Sequence, residues 1–325
     1  MRRRELIALL GGAATLRHFG AKAQQAVKPA RIGYLSANPK DSAVIRAFIE
    51  ELDRLGYAEN RNLELMTYNY GLNPDGLAEK VTEFVAAKPD LIVADGPETP
   101  LKAVRAASDA VPVIIVAVNY DPIVRGYAAS IARPGGSVTG VFFRSAEVAG
   151  KQLELLKEMV PSSAAVSVLW AAEVQDEFDA VQTAAKTLGL KLDALKLGDP
   201  PYDLEAVFQK LAESEPRMVL VLSPPYFVPH RSEIAALALR YRLPAMFRFR
   251  VWAELGGLMS FGVDSNAMRR RAARYVAKML NGAKPAELPI ERADKFELVI
   301  NLKTARALGL NAPQSLLARA DEVIE

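Results

Sequence analysis

Two runs constrain this chain more than any other feature: "DLIVADG" at 90–96 and "VPVIIVAV" at 111–118. A strand with one wet face alternates polar and apolar residues. These runs do not alternate, so both of their faces must be covered, and helices packed on both sides of a parallel sheet provide that cover. Helical patterns fall where such a sheet needs them. Residues 42–55 place Ile45, Phe48, Ile49, Leu52 and Leu55 on one face, and residues 76–87 and 100–109 also read as helices. "ARIGYLS" (30–36) and "NLELMTYNY" (62–70) complete a first βα array.

After "RPGGSVTG" (133–140), a turn-rich crossing, the pattern restarts. Helices at 147–159, 176–188, 203–213 and 231–240 alternate with strands "AAVSVLW", "KLDALKL", "MVLVLSPP", "LPAMF" and "GGLMSFG". A helix at 266–280 follows a further crossing, and "ADKFELVINLKTARALGL" supplies a last strand and helix. The expected fold class is α/β, with two Rossmann-like lobes built on parallel sheets. Residues 28–140 plus about 263–290 form lobe 1, and 141–262 plus about 291–325 form lobe 2. More than one crossing between lobes leaves a cleft, and ligands of such sheets bind at the carboxyl ends of strands.

The N-terminus reads as an export signal over residues 1–23. Arg2, Arg3 and Arg4 precede an apolar run from Leu6 to Leu16, closed by Arg17 and His18. That run is too short to span a bilayer, which needs about 20 residues. Ala21-Lys22-Ala23 before Gln24 fits a small-residue cleavage site, and the Arg3-Arg4 pair fits a twin-arginine signal. The chain carries 41 Lys and Arg against 38 Asp and Glu, of which the leader holds five and one. The remaining 36 and 37 nearly cancel, so nothing basic argues for nucleic acid. The "RRRAAR" run at 269–274 reads as a solvated helix face. Without cysteine, an exported chain must rely on its core for stability.

Catalytic signatures are missing. No G-x-G-x-x-G follows a strand, no G-x-S-x-G occurs, and "GLNPDGL" has Leu77 where a phosphate loop needs lysine. The one histidine after the leader, His230, sits where a helix begins and reads as a surface or first-turn residue. A histidine-rich zinc site is therefore excluded. No enzyme activity, cofactor or metal is expected.

Several segments together resemble the solute-binding proteins of ABC importers, in the group that includes TrpX-type tryptophan-binding proteins. They are the leader "RRRELIALLGGAA", "ELDRLGYAENRNLELMTY", "SIARPGGSVTG", "GKQLELLKEMVP", "ELGGLMSFG", "KFELVINLKTARALGL" and "LLARADEVIE". The resemblance covers nearly the whole chain. It implies a periplasmic-binding-protein type I fold hinged between lobes, a periplasmic location, no catalysis, and a membrane permease with its ATPase as partners. A small-molecule ligand, a monomer and no membrane span in the mature chain complete the expectation. A sensing protein for a membrane receptor is the alternative, and an enzyme on a two-lobe scaffold the remoter one. Glu98, in "GPETP", adds a negative charge at the mouth where the family often has smaller residues.

Loops after strands should line the cleft. Ser36 and Asn38 either bind a ligand carboxylate or cap a helix. Gly96 admits close approach to the backbone, and Thr99 caps the next helix or donates to a carboxylate. Asn119 and Asp121 follow the next strand. Asp121 either pairs with a ligand ammonium, as a similar Asp-Pro does in the family, or forms an Asx-Pro turn. In lobe 2, Trp170, Ser223, Tyr226, Phe247 and Phe261 gather at strand ends. Facing a cleft they would stack on a flat ligand, which suggests an amino acid or an aromatic carboxylate. Trp252 is expected to pack against lobe 2 or near the hinge.

Overall fold

The computed structural model describes residues 29–71, 75–198, 201–213, 218–222 and 224–325. The leader at 1–23 and the candidate Ser223 lie outside the described residues. Lobe 1 is a six-stranded sheet. Its strands are β1 (Ala30–Ser36), β2 (Leu63–Asn69), β3 (Leu91–Gly96), β4 (Val113–Val118), β5 (Val138–Phe143) and, later in the chain, β11 (Glu291–Arg292). Lobe 2 is a seven-stranded sheet. It comprises β6 (Ala165–Trp170), β7 (Lys191–Lys196), β8 (Val219–Val221), β9 (Ala245–Phe247), β10 (Met259–Val263), β12 (Phe296–Asn301) and β13 (Glu322–Ile324).

The order β2-β1-β3-β4-β5 in lobe 1 is repeated in lobe 2 as β7-β6-β8-β9-β10, and every neighbouring pair in these runs is parallel. Both sheets therefore reverse direction beside their first strand, the switch point where doubly wound sheets open a crevice.

The doubly buried strands fill two cores each. In β4, Ile114 and Val116 join one cluster while Val113, Ile115 and Ala117 join the opposite one. Helices α1 (Ala43–Arg54) and α9 (Ser265–Leu280) cover the first face, and α2 (Leu77–Ala86) and α3 (Glu98–Ala107) cover the second. Ile45, Phe48 and Leu52, at helical spacing, carry α1 onto the sheet. Lobe 2 is covered by α4 (Ala146–Met159) and α5 (Gln175–Thr187) on one face, and by α6 (Leu204–Glu213), α7 (Arg231–Arg240) and α8 (Arg250–Glu254) on the other. Two short helices, α10 (Leu302–Ala307) and α11 (Gln314–Leu317), close the C-terminal segment.

Two expectations change at the crossings. Residues 138–140 of the expected turn-rich link at 133–140 join 141–143 in β5, and β11 pairs with it, so the lobe 1 sheet runs to 143 and takes in 291–292. The second sheet is also not wholly parallel, because β12 runs antiparallel to β10. The chain leaves lobe 2 after Val263 and re-enters at Phe296, which pairs directly with Val263. A strand that starts where its neighbour ends can only run backwards beside it. Among the described residues the chain crosses between lobes at 144–145, 264 and 293–295.

Glu51 ties α1 to α9. Its carboxylate accepts from Arg54 Nη2 at 2.7 Å and from Arg274 Nε at 2.7 Å, and these bonds, against the opposing effect of burial, hold it at about 2. A depressed carboxyl pKa gives stability that is present above the unfolded-state value and lost as pH falls. Urea midpoints of the wild type should therefore fall between about pH 4.5 and about 2, and Glu51→Gln should remove part of that slope. Identical slopes would show that the tie does not stabilise the fold.

Candidate functional site

A cavity of about 390 Å³ lies between the lobes at the carboxyl ends of the strands. Lobe 1 contributes the loops after β1, β3 and β4 and the first turns of α9. Lobe 2 contributes the loop after β6, the start of α7, the segment after β9 and Glu297 on β12.

Beneath the lobe 1 wall lies a buried ion pair. Asp95 at the end of β3 receives Arg269 through Nη2 at 2.5 Å and Nε at 3.1 Å, and also the Tyr34 hydroxyl at 2.9 Å and the Ser36 hydroxyl at 3.3 Å. Burial alone would lower the Arg269 pKa, but the facing carboxylate outweighs it and the net shift is upward. Burial and the same carboxylate push the Tyr34 hydroxyl well up. Gly96 comes next, at φ +130°, where a side-chain Cβ would lie 2.1 Å from the Tyr70 hydroxyl. That hydroxyl donates to the Asp95 carbonyl at 2.8 Å. Tyr70 thus requires the glycine, in addition to any ligand.

Lobe 2 has a matching buried pair. Arg248, just past β9, lines the cavity and bonds Glu177 on α5, with both side chains at most 3% exposed. Burial raises the Glu177 pKa, with Arg248 opposing. Arg250 is shared among Glu297 at 2.9 Å, Glu322, and Glu254 at 3.8 Å. At the mouth, Glu98 accepts from the Tyr127 hydroxyl at 2.8 Å and faces Lys102 at 3.0 Å and Arg125 at 3.8 Å. Burial works to raise the Glu98 carboxyl, but these donors prevail and lower it. Arg231, the first residue of α7, donates across the cavity to Asn38 Oδ1 at 3.1 Å. Burial lowers its pKa, and no carboxylate pairs with it among the described residues.

Of the residues singled out in the sequence, Asn38, Gly96, Thr99 and Asn119 line the cavity together. Thr99 is the second residue of α3, not its cap. Asn119 sits at φ 65°, a left-handed conformation that asparagine tolerates. Ser36 lies one layer below, bonded to Asp95 and accepting the Asn38 N–H. Asp121 is a turn former, since its Oδ1 takes the backbone N–H groups of Ile123 and Val124 at 2.8 and 3.3 Å.

The lobe 2 aromatics are displaced from the cavity. Trp170 stacks on Phe178 at 4.0 Å, with Lys196 4.7 Å above the ring. Phe247 is fully buried against Trp252, Tyr226 stacks on His230, and Phe261 packs on Phe296. Trp170 and Phe247, the last side chains of β6 and β9, belong to the sheet cores. Val174, Phe249 and Trp252 line the cavity instead. Phe249 lies two residues past the end of β9, in a loop that follows a strand.

Among the described residues, some lining residues also carry buried polar atoms without partners, shielded from the cavity itself. The Tyr120 hydroxyl, on a residue 4% exposed, Ser42 Oγ and Asn266 Oδ1 make no hydrogen bond. Buried polar atoms are normally satisfied, so each orphan calls for a partner. Among the described residues, no group of three or more His, Asp or Glu could hold a metal, and no helix is long and apolar enough to cross a membrane.

The position of Trp252 has an optical consequence. Titration with a non-indole ligand should change intrinsic fluorescence through Trp252, which lines the cavity. Trp252→Phe should remove most of the change and Trp170→Phe should leave it. The reverse pattern would place the ligand elsewhere.

The comparisons fit this architecture. A tyrosine-binding protein of Clostridioides difficile (strain R20291) is 23% identical over 283 residues, covering 86% of this chain and 80% of that protein. The structure of an ABC domain in complex with L-Trp from Streptococcus pneumonia has a TM-score of 0.79 at 23% identity, covering 91% of this chain and all of that one. A conserved domain protein from Vibrio cholerae gives 0.81 at 24% identity, with the same coverage of both chains. These likenesses show the fold, that of periplasmic-binding-protein type I-like proteins. The model of the ABC transporter substrate binding protein family matches residues 35–324, and the chain belongs to that family.

Proposed function

We propose that this chain is the exported solute-binding component of an ABC importer. It captures a small ligand, an amino acid or an aromatic carboxylate, between its lobes and delivers it, as a monomer, to a membrane permease driven by an ATPase. It performs no catalysis. The observation that carries this reading is the cavity at the strand ends of both sheets, with Arg231 reaching from one lobe to Asn38 of the other. Its size lies in the range of small-molecule sites. The tyrosine and tryptophan named for the relatives support the ligand class.

Two-lobe binding proteins close around ligand by hinge motion. A thermal-shift screen of amino acids and aromatic acids should find a stabilising compound. Small-angle scattering should then show a smaller radius of gyration with that compound bound. No stabilising compound, or no change of shape, would count against the reading. Mass spectrometry of periplasmic extracts should find the chain without residues 1–23, and an intact leader on a membrane-bound chain would refute the export assignment.

A further inference from the structure

We propose, building on the binding-protein reading above, that the cavity selects an aromatic monocarboxylate lacking an α-ammonium group, with its carboxylate held by Arg231. The cavity is lined by carboxylates and guanidinium groups from both lobes, and nearly all are already committed to each other. Asp95 is held by Arg269, Tyr34 and Ser36. Glu98 is held by Tyr127 and Lys102 with Arg125 nearby, and Glu297 by Arg250. Arg248 is committed to Glu177.

Among the described residues that line the cavity, one partly buried cation remains. Arg231 has a neutral amide oxygen, not a carboxylate, as its partner. A carboxylate placed beside it would complete the pairing and could accept two parallel N–H bonds from the guanidinium. The cation side of an α-amino acid has no such counterpart. Asp121, the acid best placed by sequence to receive an ammonium, is used by its own turn. Glu173 and Glu254 are the remaining lining acids. Both are exposed at the rim, and Glu254 has Arg250 at 3.8 Å. Solvent-screened partners of that kind contribute little to holding a desolvated ammonium.

The rest of the cavity suits an uncharged, flat body. Of the aromatic residues at its wall, Phe249 is partly exposed, with Trp252 and Tyr120 nearly fully buried.

The test uses two matched triads measured by calorimetry on the mature-length protein. One is 3-(4-hydroxyphenyl)propionate, L-tyrosine and tyramine; the other is indole-3-propionate, L-tryptophan and tryptamine. In at least one triad the acid should bind at least tenfold more tightly than the amino acid, and the amine should not bind. The primary amide of the winning acid serves as a neutral probe. The wild type should prefer acid over amide at least tenfold, Arg231→Met should abolish the preference, and Arg231→Lys should restore part of it. Comparing acid with amide inside each variant separates recognition of the carboxylate from any effect on folding or closure. Tighter binding of L-tyrosine or L-tryptophan than of its acid would overturn the proposal and leave an amino-acid-binding protein. So would an acid-over-amide preference that survives Arg231→Met. If all six compounds fail while a broad solute screen finds another ligand, the proposal falls and the binding-protein reading stands. If that screen is also empty, both fall.

Discussion

Asp95→Asn is expected to destabilise the protein by about 3–5 kcal/mol, the usual cost of leaving one member of a buried ion pair alone. Asp95 is 1% exposed and Arg269 5%. An asparagine keeps the shape but points an N–H₂ group at a guanidinium that can only donate. The Tyr34 and Ser36 hydroxyls lose a charged acceptor in the same step. Asp95→Leu combined with Arg269→Met should recover a large part of the loss, because apolar replacement of a whole buried pair is often close to neutral. Urea unfolding at neutral pH measures both variants. A cost below about 1 kcal/mol for Asp95→Asn would mean that Arg269 is solvated through the cavity and does not need its partner.

Gly96→Ala is expected to cost about 2–4 kcal/mol, from two sources that can be separated. The backbone at φ +130° disfavours any side chain, and the new Cβ would lie 2.1 Å from the Tyr70 hydroxyl. Moving Tyr70 aside breaks its bond to the Asp95 carbonyl and disturbs the loop that carries Asp95 to its partner. In a Tyr70→Phe background the hydroxyl is gone, so the second substitution should cost less while the backbone strain persists. Equal costs in both backgrounds would assign the whole effect to φ. No cost in either would show that the loop adopts another conformation freely.

These two positions illustrate how far the sequence could be read. Asp95 and Gly96 end the continuous apolar run "DLIVADG", and both line the cavity. In lobe 1, Asn38, Thr99 and Asn119, beyond the strands, and Gly96, the last residue of β3, all line one cavity. In lobe 2, Trp170 and Phe247 end strands, Phe261 lies within β10, and Tyr226 lies in the segment after β8. Trp170 and Phe247 turn into the sheet cores, where they stack on Phe178 and Trp252. The arginines were not visible as a site. Arg231 and Arg269 lie on helices distant in the chain from Asn38 and Asp95, and no local pattern links residues 193 or 174 positions apart.

Local information determined the elements that periodicity dictates: the buried parallel strands, the amphipathic helices between them and the two-array organisation. Burial on both faces leaves an apolar run few other structures to join, so a short window suffices. Tertiary structure decided the rest. It made 138–143 a sheet strand and turned β12 antiparallel, because a strand's partners depend on where the chain re-enters each lobe. It also sorted the charges, committing Arg269, Arg248 and Arg250 to carboxylates while leaving Arg231 opposite Asn38. An arginine has the same formal charge wherever it stands in a sequence. Whether that charge is available to a ligand depends on which carboxylates the folded chain brings within a few ångströms of it.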